Sequence, residues 1–344
     1  MTSPNVLLIG GTRFIGFHAV QRLVDLGCDV TLFHRGETEP DGLPSVRHLH
    51  GNRAEILEHR TDFERVAPEV VLDMMPLTRA QAVDTMMAFS GIAGRLVGIS
   101  SHDVYLAYDI LRGKEQLSPV STPMDEEAPL RSKRYPYRDT VEEDSPLFDY
   151  DKIPVEHTYL ADPDLSGSIL RLPAVYGPGD YQHRPFPYLK RMVDGRPAIL
   201  IDGAAAAWRW SRCFVENVAD AIALVVTDDR ARGRVYNVAE PRALTESEWI
   251  LAIADQVGWA GEIIALPSDR LPEHLRDDLD FSQSLEVDTS RIRAELDYAE
   301  RVPFVEAMRR TVEWELANMP DELPPHRFDY AAEDDALPDL TLGI

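Results

Sequence analysis

Cysteine is nearly absent: Cys28 and Cys213 are the only two in 344 residues, and they share no metal-ligand spacing. That scarcity excludes a disulfide framework and a thiolate metal centre, and it suits a reducing compartment in which both thiols are packing residues. No run of eighteen apolar residues occurs, and no charged segment with an apolar stretch behind it opens the chain. Neither a membrane span nor a secretory leader is expected, and the cytoplasm is the default location. Basic residues are few against acids, 35 Lys and Arg against 59 Asp and Glu, for a formal net charge of -24. Such a charge repels phosphate backbones except at local basic pockets, so nucleic acid is not an expected partner. Much of the acid falls at 124–128, at 141–144 and in the tail 321–339, where solvated surface is its simplest use.

What is present begins at the first strand. Residues 5 to 16 read Asn5-Val-Leu-Leu-Ile-Gly10-Gly11-Thr12-Arg13-Phe14-Ile15-Gly16. The apolar run is what a parallel strand buried on both faces requires, and it leads directly into a glycine-spaced turn. Gly10 permits the tight turn. Gly16 lets the following helix, expected over 14–26, pack against the sheet with its N-terminal amides turned toward a pyrophosphate. The dinucleotide fingerprint has a third glycine, and Arg13 stands in its place.

Strand-like runs at 6–9, 29–33, 46–50, 70–73, 95–100 and 169–172 alternate with helical patterns at 14–26, 54–66, 78–89 and 153–161. This rhythm predicts an α/β fold: a Rossmann-like doubly wound parallel sheet with a smaller C-terminal substrate-binding lobe. Residues 1–180 are expected to form the dinucleotide-binding domain, interrupted by a long loop at 102–146 of the size that lids and binding loops take. Residues 181–320 should form a mixed substrate lobe interleaved with returns to the main sheet, and 321–344 an irregular acidic, proline-bearing tail. Late helices are expected at 214–227, 245–257, 289–296 and 302–318, the second opening on the capping-box spacing Thr245-Glu-Ser-Glu248.

Further carriers stand in order along the chain: Ser100-Ser101-His102-Asp103-Val104-Tyr105, Lys152-Ile-Pro-Val-Glu156, Arg171-Leu-Pro-Ala-Val-Tyr-Gly-Pro-Gly179 and Asp288-Thr-Ser-Arg-Ile-Arg. Together with the glycine turn they resemble the extended short-chain dehydrogenase/reductase family, also called the NAD-dependent epimerase/dehydratase family, over roughly residues 5 to 318. The Gly-Gly-Thr-Arg-Phe-Ile-Gly turn looks like that of an atypical branch that includes the chloroplast stem-loop-binding proteins. The resemblance implies an NAD(P)-dependent oxidoreductase or isomerase of epimerase/dehydratase type, acting on a small carbohydrate-like substrate. It also implies a homodimer, paired through the helix after the long loop and the helix before the fifth strand.

The resemblance assigns Ser101 to polarise the substrate oxygen, and Lys152 to hold the nicotinamide ribose and lower the pKa of a neighbouring phenol. A proton-carrying tyrosine should stand four residues before that lysine. Phe148 stands there instead, keeping the ring and losing the atom that titrates. Tyr150, two residues before the lysine, would be turned about 200° away on a helix and can serve only if the helix starts later. Tyr137 in the preceding loop is another candidate. His102 and Asp103 fall where the family's dehydratases carry their acid and base, and on an extended segment they would point to opposite sides unless the chain bends.

For the coenzyme, Gly10, Gly11, Thr12, Arg13, Phe14, Ile15 and Gly16 would form the pyrophosphate turn. NAD users place an acid at the end of the second strand, whereas this chain has His34 and Arg35 there, with Arg13 as a second guanidinium nearby. That composition favours NADP over NAD, because arginine pairs with a 2′-phosphate through two parallel hydrogen bonds. Asn52 takes the place of an adenine-binding aspartate, and Met74, Ser100, Pro173 and Val175 complete the expected coenzyme wall. Tyr137, His183, Arg184, Trp210 and Arg212 offer aromatic plates and cations for a substrate. Ala174 removes the amide that usually precedes Val-Tyr-Gly-Pro-Gly, which weakens the expectation of a nucleotide sugar. No metal ligand set is expected. Two non-redox alternatives stand beside this reading: a nucleotide-binding regulatory or RNA-associated protein, and a lyase or isomerase using His102 and Asp103.

Overall fold

The computed structural model describes residues 3–320 and 325–337. The first half runs β1 (Asn5–Ile9), α1 (Phe14–Asp25), β2 (Asp29–His34), β3 (Arg47–His50), α2 (Arg60–Val66), β4 (Val70–Asp73), α3 (Arg79–Phe89), β5 (Arg95–Ser101), α4 (Leu106–Leu111), α5 (Lys152–Leu160) and β6 (Ser166–Leu172). The second half runs β7 (Ala174–Tyr176), α6 (Phe186–Val193), β8 (Ala198–Asp202), α7 (Gly203–Ala207), β9 (Arg209–Trp210), β10 (Arg212–Phe214), α8 (Val215–Thr227), β11 (Val235–Asn237), β12 (Leu244–Thr245), α9 (Glu246–Val257), β13 (Glu262–Leu266), α10 (Ser290–Leu296), α11 (Phe304–Ala317) and α12 (Tyr330–Ala336).

Seven parallel strands form the main sheet in the order β11-β6-β5-β4-β1-β2-β3. The strand alternation of β1 shows why its apolar run is unbroken: Val6 and Leu8 enter the core on one face of the sheet, Leu7 and Ile9 the core on the other. Val20 and Leu23 of α1 meet Val218 and Ile222 of α8 in the first core. Phe63, Phe89 and Tyr159, from α2, α3 and α5, fill the second. Strand order reverses between β1 and β4, and the crevice at the C-terminal ends of those strands is where open α/β sheets take their ligands.

The weak helical pattern at 54–66 resolves into a tight 3-10 segment over Arg53–His59 followed by α2, with a non-helical Glu55 at φ -114°. Thr78 and Thr245 both close capping boxes, with Gln81 and Glu248 respectively. Beyond β7 the chain builds the small β8–β13 and β9–β12 pairs, returns to the main sheet through α8 and β11, and leaves it again.

The tail departs from the expected irregular extension over its described part. A 3-10 turn at Pro325–Phe328 leads into α12, and Ala336 and Leu337 pack on Leu200, Leu266 and Leu271. The cause is electrostatic as well as apolar: Glu333 is buried between Arg191 and His274, 3.0 Å from the His274 Nε2. Carboxylates in this stretch therefore serve a docked helix. Residues 321–324 and 338–344 of the expected tail lie outside the described residues.

Candidate active site

The glycine turn has the shape that the sequence predicts. Gly10 and Gly11 sit at φ +90° and +102°, a region that a side chain would strain, and a Cβ on Gly16 would lie 2.5 Å from the Gly11 Cα. Arg13 stands at the third glycine position without distortion because its backbone is extended, at φ -131° and ψ 149°. It makes no side-chain cap on α1, and the Gly16 and Phe17 amides bond back to its carbonyl oxygen at 2.9 and 3.3 Å. Its exposed guanidinium reaches across to Thr38 Oγ1 at 2.8 Å and lies along the 35–46 loop, clear of the turn. Backbone freedom at Gly10 and Gly11, an uncapped helix N-terminus and the strand-order reversal beside them fit a dinucleotide.

The wall expected for the coenzyme is only partly free to bind one. Arg35 is exposed and pairs with Glu37 at 2.7 Å, and the Asn52 carboxamide oxygen accepts from the Ala54 amide. His34 has both ring nitrogens engaged within the chain, Nε2 with His48 Nδ1 at 2.7 Å and Nδ1 with the Gly36 amide at 3.2 Å. Ser100 is engaged within the chain as well. Its hydroxyl donates to Glu156 Oε1 at 2.5 Å, and Glu156 is in turn held by the Arg171 guanidinium, so Ser100 belongs to a buried ion-pair network. Met74 and Val175 are buried beside the crevice strands, with Pro173 half-buried at the end of β6.

The segment before α5 fixes where Tyr150 and Phe148 lie. α5 starts at Lys152, with Asp151 as its N-cap through a bond from the Ile153 amide. Asp151 is fixed in turn by Arg131 at 3.2 Å and by the Tyr135 amide at 3.1 Å. Tyr150 therefore lies outside the helix and is not carried to its far side. Its ring centroid is 5.8 Å from Lys152 Nζ, and its hydroxyl donates to Asp103 Oδ2 at 2.8 Å. Phe148 sits on the outer side of the loop, with the Arg138 guanidinium 5.1 Å over its ring.

Lys152 is buried and donates to the carbonyl oxygens of Pro76, at 2.9 Å, and Ile99, at 3.0 Å. An ammonium has three N–H bonds, so one is left for a ligand. Burial pulls its pKa down to about 8, against the opposing charges of Asp73 and Asp103. Burial, and then the Asp103 carboxylate, push the Tyr150 phenol well above its ordinary value. Tyr137 joins the same group: its ring is 5.3 Å from that of Tyr150, and its hydroxyl lies 3.4 Å from Asp103 Oδ2 and receives a bond from Arg112 Nη2 at 3.2 Å. Tyr137, from the 102–146 segment, thus lies against Tyr150 and Asp103.

His102 and Asp103 part company. The bend that could have turned both to one substrate exists, a 3-10 turn over His102–Val104. It sends Asp103 to the tyrosines and buries His102 beneath them, where desolvation and the Arg171 charge hold its pKa down to about 3. His102 is enclosed beside Tyr105, while Asp103 Oδ2 accepts from the Tyr150 hydroxyl. Ser101 caps the same turn, accepting from the Asp103 amide at 3.2 Å, and remains half-buried at the strand end.

On the substrate side, Trp210 donates from Nε1 to the Tyr108 hydroxyl at 3.4 Å. Arg212 is buried, stacks against Trp210 and Trp249 and pairs with Glu246 at 2.5 Å. His183 stacks on Trp314 and bonds Glu315 at 2.6 Å, while Arg184 braces the 175–180 turn through Val175 O and Asp180. Neither meets the Tyr137–Asp103 group. Two residues that sequence reasoning passed over do: Arg112 and Tyr108, four apart at the end of α4, with the guanidinium 5.5 Å over the Tyr108 ring and 5.3 Å over the Tyr137 ring. An i, i+4 arginine–tyrosine pair opposite a tyrosine-bearing loop was the available signal.

Comparison with known proteins agrees with this geometry. A 2′-dehydrokanamycin reductase of Streptomyces kanamyceticus is 26% identical over 284 residues, 79% of this chain and 72% of its own. A dTDP-glucose 4,6-dehydratase of Streptomyces niveus is 31% identical over 140 residues, 40% of this chain, and the match spans 38% of that relative's length. Among solved structures, the Bordetella bronchiseptica enzyme WbmG in complex with NAD and UDP superposes with a TM-score of 0.67 at 16% identity, covering 91% of this chain and 95% of that one. The profile of the NAD dependent epimerase/dehydratase family matches residues 6–239, so the glycine turn, the β5 end and the Lys152 helix are parts of one inherited framework: the chain belongs to that family.

Proposed function

We propose that this protein is an NADP-dependent oxidoreductase or isomerase of the epimerase/dehydratase type that acts on a hydroxylated, carbohydrate-like substrate, with Tyr150 as its proton carrier. The observation that carries the reading is the placement of Tyr150 between Lys152 and Asp103. When bound, the coenzyme supplies hydride exchange at a carbinol or carbonyl carbon. The chain supplies the proton: a phenol kept protonated by its surroundings is ready to donate to an oxygen that gains charge, and the Lys152 ammonium beside it stabilises the phenolate left behind. Asp103 orients that phenol, Tyr137 and Arg112 offer a hydroxyl and a cation to substrate oxygens, and Ser101 stands at the strand end to polarise the reacting one.

The nucleotide-sugar relatives support a sugar-like substrate, and the reductase relative supports a carbonyl as the group reduced. For the coenzyme, Arg35 and Arg13 at the 35–46 loop support NADP, since the last residue of β2 is His34 and the next is Arg35 where NAD users place an acid. Mass spectrometry of the purified protein should find NADP(H), and Arg35→Ala should weaken NADP by about tenfold while leaving NAD little changed. Equal weakening of both coenzymes would defeat the 2′-phosphate assignment. The α3 and α5 face, with Met87 exposed beside Val83, Met86 and Thr158, is the proposed homodimer surface. A monomeric mass by sedimentation would contradict it.

A further inference from the structure

Three histidines gather on one face of the sheet edge for a reason of register. His48 and His50 are two apart on β3 and so point to the same side, and parallel pairing sets His34, the last residue of β2, directly beside His50. The 35–46 loop then folds back so that Glu39 faces all three, with its Oε1 2.9 Å from His50 Nε2, 3.5 Å from His48 Nδ1 and 3.7 Å from His34 Nε2. His34 Nε2 and His48 Nδ1 are 2.7 Å apart, and all four ligand atoms lie within 4.8 Å of one another. From this convergence we propose that His34, His48, His50 and Glu39 form a four-coordinate site for a divalent ion of the zinc type.

The dimensions suit it. With metal–nitrogen bonds near 2.0–2.1 Å, adjacent ligand atoms of a tetrahedron stand ~3.3 Å apart. The four measured edges, 2.7, 2.9, 3.5 and 3.7 Å, bracket that length. The donor set is right in kind, because imidazole nitrogens with one carboxylate select zinc and its first-row neighbours over magnesium or calcium, which take oxygen. His34 is buried at the end of β2, so its ring is held in place beneath the other two. The two short edges are hydrogen bonds in the absence of an ion. To admit one, the shared protons move to the opposite ring nitrogens of His34 and His50. For His34 this requires the Gly36 amide, 3.2 Å from Nδ1, to turn away. Gly36 is exposed, with φ +77°, and a Cβ there would come within 3.2 Å of the His50 ring, so the loop passes over the cluster only because that residue is glycine. The ion would tie β2, β3 and the loop carrying Arg35 and Thr38 into one unit without using any residue of the Tyr150 site.

Cobalt(II) is the probe, titrated into chelator-treated full-length protein and then displaced with zinc. One equivalent per chain should develop the intense visible bands of four-coordinate cobalt and lose them to zinc, and zinc should raise the melting temperature. The paired change His48→Ala/His50→Ala should weaken cobalt by on the order of 100-fold, and Glu39→Gln, at an exposed position, by on the order of tenfold. Circular dichroism and coenzyme binding report separately that each variant is folded. Only the weak bands of six-coordinate cobalt, or four-coordinate bands that survive the paired change, would overturn the site.

Discussion

Two buried polar clusters flank the end of β5, and they are built to opposite rules. Around Arg171, Nε and Nη2 take both oxygens of Glu156, Nη1 takes the Tyr105 hydroxyl and the Glu126 carbonyl, and the Tyr105 hydroxyl donates a hydrogen bond to Asn237 Oδ1. Around Lys152 the ammonium has carbonyl oxygens as its only hydrogen-bond partners, and Asp103 Oδ1 and Arg112 Nη1 are buried without one among the described residues. Polar groups withdrawn from water are ordinarily all matched, and leaving one short costs about 1–3 kcal/mol. The saturated cluster holds β5, α5 and β6 together. The unsaturated one keeps hydrogen-bonding capacity free, and the proposed function draws on it.

The largest expected effect tests that contrast at Tyr150. Tyr150→Phe removes one oxygen from the unsaturated cluster and should lower turnover by about 10²–10⁴-fold while costing about 1–2 kcal/mol of stability, read by single-turnover kinetics and urea unfolding. Phe148→Tyr should leave turnover unaltered, because that ring lies on the outer side of the loop under Arg138. A gain of activity from Phe148→Tyr, or an indifferent Tyr150→Phe, would return the proton relay to the helical position. Glu156→Ala inverts the pattern. It strands the Arg171 guanidinium in the core and should cost about 3–5 kcal/mol of stability, with turnover per folded molecule retained.

The same contrast explains what could be read from the chain. Strand periods, the glycine turn and the Thr245–Glu248 capping box are local patterns, so the order of β1 to β6 and the start of α9 were legible with ends shifted by a few residues at most. The bond from Ser100 was not legible because its partner Glu156 lies 56 residues away, across a fold that local pattern does not encode. The carboxylate partners of Arg212 and His183, Glu246 and Glu315, were hidden for the same reason. Tyr150 turned on where α5 begins. Asp151 decides that, as a cap held from the preceding loop by Arg131, and a helical pattern cannot report such a contact. The His34, His48 and His50 face was latent in a His-x-His strand, but only the β2–β3 register and the return of Glu39 make it a cluster.

Lys152 offers a smaller and finer test, since its cost should be visible as a function of pH. Its pKa in the folded chain is pulled down to about 8 from an ordinary 10.5, with burial as the largest cause. Below pH 8 both folded and unfolded chains carry the proton, and the folded state bears the full penalty of a desolvated ammonium. Between about 8 and 10.5 the unfolded chain still binds that proton and the folded chain does not, so folding stability must rise with pH across that window. The rise should be on the order of 3 kcal/mol, following from the size of the shift. Lys152→Met leaves the Pro76 and Ile99 carbonyls without their donor, which lowers stability at every pH, but it removes the titrating group and should flatten the slope. Urea unfolding of both proteins at several pH values between 7.5 and 10 isolates the difference in slope from that constant loss, because every other lysine and tyrosine is common to the pair. Equal slopes would mean that Lys152 is as well matched as Arg171, and the distinction between a saturated structural cluster and an unsaturated reactive one would fail at its central residue.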